Sequence, residues 1–233
     1  MKWEPFDDYD AMSSAAAQVM LDAISINPRI VFGLPTGRTP IGMYQRVVAA
    51  CGREYHCFRD VVTFNLDEYA GIARDHPGSY FTFMRENLFD ATDIDPQNAH
   101  IPDGKAPDLE AECTHYEREI AAAGGLDLTF LGLGSNGHIA FNEPGTPFDA
   151  RTRVVALTES TRRANAPLFP EGDVPTHAIT MGIATILASR RIVLLASGAS
   201  KRGAIERLQS GEVSADFPAS ALHGHGDVTV LFV

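Results

Sequence analysis

Apolar residues are concentrated in segments of two kinds, which alternate along the chain. Short runs rich in Val, Ile and Leu predict buried strands, and longer helix-like segments lie between them. The predicted strands are Ile30–Leu34, Val61–Leu66, Leu126–Leu133, Ile192–Ser197 and Val228–Val233. The predicted helices are Tyr9–Ile26, Ile41–Cys51, Ser79–Leu88, Leu109–Ala123 and Lys201–Gln209.

The predicted strands do not alternate cleanly between apolar and polar residues. Strands of that kind are usually buried on both faces of a parallel sheet. Together with the intervening helices they predict an α/β protein, with a three-layer, doubly wound, mostly parallel sheet of Rossmann-like type. In such a fold the active site lies beyond the carboxyl ends of the strands.

The segment from Glu143 to Thr180 interrupts this alternation. It contains several prolines, a charged helix-like stretch at Thr158–Asn165 and a short apolar run at Ala178–Met181. We therefore expect one domain over residues 1–233. Within it, we expect a flap or lid at roughly residues 144–180.

Charge and hydropathy exclude several classes of partner. A hydrophobic content of 45% is sufficient for a buried core, and the formal charge is -11 without a basic stretch. We therefore expect neither nucleic acid nor an anionic membrane as a partner. No apolar run approaches membrane-spanning length. An anionic substrate stays possible, because a few local cations can dominate a pocket.

The three cysteines, Cys51, Cys57 and Cys113, indicate the cellular compartment. An odd count without CxxC spacing predicts neither a disulfide framework nor a zinc site. Reduced thiols and an N-terminus that lacks the apolar core of a signal peptide both favour a cytoplasmic protein.

The first candidate loop, Gly33–Pro40, follows a predicted strand and opens a predicted helix. Glycine lets the backbone approach a ligand closely, and a helix N-terminus offers free N–H groups and a positive dipole end. Thr36 and Thr39 add hydroxyl donors. The pattern favours a cradle for one phosphate, although an ordinary capped turn would have the same residues.

The second candidate loop places Asp67 and Glu68 directly after a strand. Adjacent carboxylates at a strand end suit a general base or a metal ligand, and a solvated acidic turn is the alternative. A metal site is the less favoured interpretation, because the sequence has no second cluster of oxygen or nitrogen ligands to complete it.

The third candidate loop, Leu131–Pro144, presents His138 close to Glu143 after an apolar run that ends in glycines. A carboxylate can hold a histidine in one tautomer and tune it to transfer protons near neutral pH. Lys201 and the pair Arg162–Arg163 are the cations that could face a phosphate, unless they are simply solvated.

Three motifs give the chain a family resemblance: Thr63-Phe-Asn-Leu-Asp-Glu-Tyr69, His76-Pro-Gly-Ser-Tyr80 and Gly137-His-Ile-Ala-Phe-Asn-Glu-Pro144. With them the chain resembles the glucosamine-6-phosphate deaminase family, from Gly33 to about His225. The loop Thr36-Gly-Arg-Thr-Pro40 is shared with the related 6-phosphogluconolactonases and discriminates less.

The resemblance implies conversion of glucosamine 6-phosphate and water to fructose 6-phosphate and ammonium, without a metal or other cofactor. Asp67 is then the base that moves the C2 proton to C1. His138 assists ring opening, supported by Asn136 and Glu143. The implied phosphate ligands are Thr36, Gly37, Arg38, Thr39, Arg162 and Lys201.

Departures from the family pattern refine these expectations. Position 136 is Asn where some members carry Asp, so we expect Glu143 alone to orient His138. Allosteric members carry Lys at the position of Val155 and a longer C-terminal region, so we expect a monomer or small homo-oligomer. The alternatives are a galactosamine-6-phosphate deaminase, a 6-phosphogluconolactonase and a catalytically silent sugar-phosphate sensor.

Overall fold

The computed structural model describes residues 1–51, 57–169, 172 and 174–233. The helices are α1 (Tyr9–Ile26), α2 (Ile41–Cys51), α3 (Tyr80–Asn87), α4 (Leu109–Ala122), α5 (Glu159–Asn165), α6 (Ile183–Leu187) and α7 (Arg202–Gln209). The strands are β1 (Lys2–Pro5), β2 (Val31–Leu34), β3 (Val62–Asn65), β4 (Asp67–Tyr69), β5 (Ala99–His100), β6 (Leu128–Gly132), β7 (Arg153–Ala156), β8 (His177–Thr180), β9 (Arg191–Ala196) and β10 (Val228–Phe232). Short 3-10 helices cover Phe89–Ala91, Pro96–Asn98, Ala166–Leu168, Ala199–Lys201 and Pro218–Gly224.

The main sheet has seven strands in the order β1-β10-β9-β6-β2-β3-β5. All of its described pairings are parallel. From β2 the chain first adds β3 and β5 on one side, and it later adds β6, β9 and β10 on the other. The predicted doubly wound α/β fold is therefore confirmed.

Both faces of the main sheet are buried, which explains why its strands show no simple alternation of apolar and polar residues. Phe32 and Phe130 belong to the core on the side of α1, α2 and α3. Leu131 and Leu194 point to the opposite core, which α4, α6 and α7 complete. Within the described residues, no helix is long and apolar enough to cross a membrane.

A second, antiparallel sheet joins the segment after Glu143 to the end of β3. Its three strands have the order β4-β8-β7, and Asp67 pairs with Thr180 in it. The strands β7 and β8 and the helix α5 all lie within residues 144–180, the predicted lid. Residues 170, 171 and 173 of that prediction fall outside the described residues.

Several elements were not predicted from the sequence, namely β1, β4, β5, β7 and α6. Each is short, from two residues in β5 to five in α6. A segment of that length has too few positions to establish a period of 2 or of 3.6. These elements form because they pair with or pack against a neighbouring strand or helix. Such contacts cannot be predicted from the local sequence.

Candidate active site

The candidate loops meet because they follow neighbouring strands of the main sheet. Residues 35–40 follow β2, Asp67 lies just beyond β3, residues 133–143 follow β6, and residues 197–201 follow β9. The chain places β3 and β5 on one side of β2 and then β6 on its other side, so the strand order reverses between β2 and β6. In open α/β sheets ligands bind at such a switch point, outside the carboxyl ends of the strands.

Asp67 is a buried carboxylic acid at the first position of β4. Its residue is only 5% exposed. Burial raises the pKa of Asp67 to about 8, and the neighbouring charge of Glu68 acts in the same direction. A carboxyl group with a pKa in this range can both accept and return a proton near neutral pH.

The Glu68 carboxylate, unlike that of Asp67, is hydrogen-bonded to the main chain. Its carboxylate accepts hydrogen bonds from the N–H groups of Tyr69 (2.8 Å), Tyr80 (3.0 Å) and Phe81 (2.9 Å). The Ser79 hydroxyl accepts from Thr82 N at 3.0 Å, which completes the first turn of α3. Glu68 therefore anchors the N-terminus of α3. Burial raises the pKa of Glu68, and these main-chain hydrogen bonds oppose the shift.

Two polar links connect Asp67 to the other loops. On one side its β-sheet partner Thr180 accepts a hydrogen bond of 3.1 Å from Phe141 N, in the loop that carries His138. On the other side lies Tyr80, whose hydroxyl donates a hydrogen bond of 3.2 Å to Tyr69 Oη. Burial raises the pKa of Tyr80, the Asp67 charge adds to this shift, and the Thr36 side chain opposes it. Asp67 thus lies between the His138 loop and the predicted phosphate loop.

His138 lies beside Glu143 without a hydrogen bond between their side chains. His138 Nδ1 is 3.8 Å from Glu143 Oε2, is buried and has no hydrogen-bond partner among the described residues. Burial lowers the pKa of His138; the Glu143 charge opposes this shift and the Lys201 charge adds to it. His138 is therefore a neutral imidazole at pH 7, with Lys201 close enough to influence its charge.

Asn136 connects Glu143 to the main chain of His138. Asn136 donates a hydrogen bond of 2.7 Å from Nδ2 to Glu143 Oε2, and it accepts one of 3.2 Å at Oδ1 from His138 N. The hydroxyls of Thr161 (2.6 Å) and Thr158 (3.3 Å) donate to Glu143 Oε1. Asn136 is thus a neutral amide that bridges the two ends of this loop.

Gly134 makes room for the His138 ring. A Cβ atom at position 134 would lie 2.4 Å from atoms of that ring, far inside van der Waals contact. The Gly134 N–H also donates a hydrogen bond of 2.9 Å to His138 O. The loop therefore folds back on itself, with the imidazole packed on the glycine.

The loop after β2 has the properties of an anion site. The N–H groups of Thr36, Gly37, Arg38 and Thr39 donate no hydrogen bond to any described residue. Gly37 has φ 92°, a left-handed conformation that glycine adopts at no steric cost. Helix α2 begins directly afterwards, so its positive dipole end faces the same region.

Two of the predicted cations lie near these loops and are only partly exposed. Burial lowers the pKa of Lys201, which lies in the 3-10 helix after β9. Arg162 donates from Nη2 to Val174 O at 3.4 Å, and its Nε is buried without a hydrogen-bond partner in the described part of the chain. Arg163 instead pairs with Glu159 at the surface, where both side chains are 75% exposed.

A cavity of about 350 Å³ adjoins the phosphate loop. Its lining residues are Tyr9, Arg38, Thr39, Ile41 and Ser197. Neither Asp67 nor His138 lines this cavity, so it borders the phosphate end of the site and not the end where protons would move.

The sequence motifs did not assign roles to Tyr80, Thr158 or Thr161. Tyr80 is in contact with the aromatic rings of Tyr69 and Phe141, at centroid distances of 4.7 and 6.0 Å. No residue pattern signals these roles, because each depends on a neighbour distant in the chain. The one local sign is that Thr158 is the first residue of the charged helix-like stretch, where the structure has it as the N-cap of α5.

Comparison with known proteins identifies the family. A family model described as glucosamine-6-phosphate isomerases/6-phosphogluconolactonase matches residues 7–230. The chain belongs to this family. It is 52% identical over 233 residues to the glucosamine-6-phosphate deaminase of Lysinibacillus sphaericus, covering 100% of this chain and 98% of that protein. It is 50% identical to glucosamine-6-phosphate deaminase 1 of Bacillus subtilis, covering 99% of this chain and 96% of the relative.

Solved structures of the glucosamine-6-phosphate isomerase/6-phosphogluconolactonase family share the fold. A monomeric glucosamine-6-phosphate deaminase superposes with a TM-score of 0.97 at 49% identity, covering 100% of this chain and 97% of that one. The 6-phosphogluconolactonase of Thermotoga maritima superposes with a TM-score of 0.78 at 24% identity, covering 100% of this chain and 98% of that one. The second likeness concerns the fold alone. The predicted family resemblance is thereby confirmed.

Proposed function

We propose that this chain is a glucosamine-6-phosphate deaminase, which converts glucosamine 6-phosphate and water to fructose 6-phosphate and ammonium. The observation that carries the proposal is the buried Asp67 beside a loop whose four N–H groups have no acceptor among the described residues, the two following the neighbouring strands β3 and β2. The 52% identity over the whole chain to a deaminase of that name supports it.

In this proposal the phosphate of the sugar binds at the loop Thr36–Thr39. The four N–H groups and the α2 dipole stabilise its negative charge. Lys201 and Arg162 supply charge-assisted hydrogen bonds, and the buried Arg162 Nε, which has no partner among the described residues, can donate one of them. Binding the remote phosphate fixes the position of the reacting carbons and provides binding energy for the chemical steps.

His138 opens the sugar ring as the first step. The neutral imidazole accepts the proton of the C1 hydroxyl and returns a proton to the ring oxygen, so that the C1–O5 bond breaks and the C1 carbonyl forms. Its lowered pKa keeps the imidazole in the form that accepts a proton at neutral pH. Asn136 and Glu143 hold the loop that positions it.

Asp67 carries the isomerisation of the open-chain sugar. It removes the proton from C2 while the C1 oxygen takes a proton from the substrate ammonium group, which yields an enolamine. It then delivers the C2 proton to C1, which leaves an iminium group at C2. Water then adds to C2 and ammonia departs, leaving the ketone. A substrate ammonium group near Asp67 would lower the raised pKa of this carboxyl and favour the carboxylate when substrate is bound.

The other candidate activities use these residues less completely. Lactone hydrolysis requires no proton transfer between adjacent carbons, so it gives the buried Asp67 no role. A silent sugar-phosphate sensor requires neither Asp67 nor His138. A galactosamine-6-phosphate deaminase would use the same groups and differs only in recognition of the C4 hydroxyl.

We further propose that the enzyme acts as a monomer or small homo-oligomer in the cytoplasm. The likeness to a monomeric deaminase over the whole chain supports the first part. The three cysteines, an odd number without CxxC spacing, agree with the second. Light scattering of the purified protein measures its mass directly, and a stable hexamer would contradict the proposal.

The deciding experiment measures ammonia release from glucosamine 6-phosphate and galactosamine 6-phosphate side by side. We expect rapid release from the first and a much lower kcat/KM for the second. Hydrolysis of 6-phosphogluconolactone, followed in parallel, should not exceed the rate without enzyme. Absence of ammonia with both hexosamine phosphates would refute the proposed function.

A further inference from the structure

Two tyrosine hydroxyls bind the main-chain carbonyls of the phosphate loop, one at each end of it. Tyr44 Oη donates a hydrogen bond of 2.6 Å to Pro35 O. Tyr9 Oη shares its hydrogen between Arg38 O at 3.2 Å and Thr39 O at 3.0 Å. These contacts come from α2 and α1, helices that lie on the same face of the sheet.

Tyr9 also fixes the start of the helix that follows the loop. Its hydroxyl accepts a hydrogen bond of 2.8 Å from Gly42 N, one of the free donors in the first turn of α2. Gly42 is close-packed against α1, since a Cβ atom there would lie 2.5 Å from Ser13 Oγ. The loop and both helices therefore meet at the Tyr9 hydroxyl.

The direction of a carbonyl determines the direction of the next N–H group. In a planar trans peptide the C=O and the following N–H point to opposite sides. A hydroxyl that holds Pro35 O thus directs the Thr36 N–H away from α2. In the same way, the bond to Arg38 O directs the Thr39 N–H away from α1, and neither N–H group has a partner among the described residues.

A phosphate site needs this control because a rotated peptide would turn a carbonyl oxygen toward the anion. Gly37 has φ 92°, and a Cβ atom added there would meet no atom within 4 Å, so no side-chain packing restricts the middle of the loop. The tyrosine contacts lie on both sides of that glycine. They restrict the peptides that carry the donor groups before a ligand arrives, which reduces the entropy cost of binding.

We infer that Tyr9 and Tyr44 are positioning residues for phosphate recognition, which hold the carbonyls of Pro35, Arg38 and Thr39 away from the bound anion. This inference rests on the proposed function, because it concerns the phosphate end of the same site. The hydroxyls bind main-chain groups of the loop and of the first turn of α2. Both act through the main chain of the loop, so their loss weakens binding of the phosphate more than it slows the proton transfers.

The test compares the variants Tyr9→Phe and Tyr44→Phe with the unaltered protein by titration calorimetry. The probes are inorganic phosphate and fructose 6-phosphate, in the absence of ammonium so that no reaction occurs. We expect the Kd of both probes to rise roughly three- to tenfold in each variant, the loss typical of one or two hydrogen bonds. KM for glucosamine 6-phosphate should rise by a similar factor, with kcat changed less than about twofold.

Tyr116→Phe is the matched control. Tyr116 Oη also donates to main-chain carbonyls, Asn65 O at 2.8 Å and His100 O at 3.1 Å, but these lie outside the phosphate loop. We expect this variant to lower the unfolding temperature as Tyr44→Phe does, while the Kd for inorganic phosphate stays that of the unaltered protein. Tyr9 is partly exposed, so Tyr9→Phe keeps the test valid if Tyr44→Phe unfolds.

Three results would overturn the inference: unchanged Kd values in a folded Tyr9→Phe variant, an equal rise in Tyr116→Phe, or no binding of either probe by the unaltered protein. Failure of the proposed function has a different signature. The unaltered protein would then release no ammonia from glucosamine 6-phosphate, while the calorimetric comparison of the tyrosine variants would still decide the role of the hydroxyls.

Discussion

The Glu143 carboxylate accepts a hydrogen bond of 2.6 Å from the hydroxyl of Thr161. Thr161 is the neighbour of Arg162 in α5, and Glu143 lies 3.8 Å from His138. Helix α5, which carries the proposed phosphate ligand Arg162, is therefore hydrogen-bonded to the carboxylate beside His138. Movement of α5 on phosphate binding would reach the His138 loop through this contact.

Replacing Asp67 by Asn should abolish turnover and leave binding of fructose 6-phosphate intact. Asn is nearly isosteric with Asp but cannot accept the C2 proton. Loss of a general base typically lowers kcat by a factor of about 10² to 10⁴. Rate measurements and exchange of the C2 proton with deuterated water test this together. Near-normal exchange in the variant would show that another group is the base.

The same variant should be more stable than the unaltered protein at alkaline pH. The folded-state pKa of Asp67, about 8, lies above the unfolded value, so the folded protein holds this proton more tightly. The contribution of Asp67 to stability is therefore most favourable below about pH 4 and declines as pH rises toward 8. Asn does not titrate, so this decline should be absent from the variant.

Thermal unfolding at a series of pH values measures this effect. We expect the unfolding temperatures of the two proteins to be similar near pH 4. Near pH 8 the variant should unfold several degrees higher, since ~1 kcal/mol shifts the unfolding temperature of a protein of this size by roughly 2–4 °C. A difference that does not depend on pH would mean that Asp67 titrates normally.

Gly134→Ala should lower kcat by roughly tenfold or more, since small misplacements of catalytic groups have large effects on rate. The added methyl group would lie 2.4 Å from the His138 ring, so the ring must move. Gly132→Ala is the control, because a Cβ there meets no atom within 4 Å. Equal kcat values in the two variants would contradict the packing of His138 on Gly134.

Lys201→Ala and Arg162→Ala should each raise KM for the phosphorylated sugar about tenfold or more, because a charge-assisted hydrogen bond contributes on the order of 1.5–3 kcal/mol. Arg163→Ala is the matched control for the second change. It removes the adjacent, exposed guanidinium that pairs with Glu159, and it should leave KM unchanged. If Arg163→Ala raises KM as much as Arg162→Ala, the phosphate is not recognised by Arg162.

The sequence predicted the parts of this protein that depend on local pattern. The helices Tyr9–Ile26 and Ile41–Cys51 were predicted with the bounds that the structure has, because their apolar residues repeat over several turns. It also placed Asp67, His138 and the Thr36–Thr39 loop at strand ends. In a parallel sheet the carboxyl ends of the strands share one edge, so this placement predicted their proximity.

The sequence did not reveal which carboxylate of the pair Asp67–Glu68 is engaged by the main chain. Both are buried, at 5% and 2% exposure. The difference arises because the first turn of α3 donates to both oxygens of Glu68, whereas the Asp67 carboxylate accepts no hydrogen bond from a described residue. Burial raises the pKa of both carboxyl groups, but only at Glu68 do main-chain hydrogen bonds oppose the shift, so the packed structure distinguishes the two.

The sequence by itself thus determined the doubly wound sheet, the family and the strand-end positions of the candidate groups, since these follow from short-range pattern and motif. The tertiary structure decided the bridging role of Asn136, the Thr161–Glu143 contact and the two tyrosines behind the phosphate loop. Such contacts depend on how the loops and layers pack. They form only when the helices and the sheet pack against each other, so they cannot be read from local sequence.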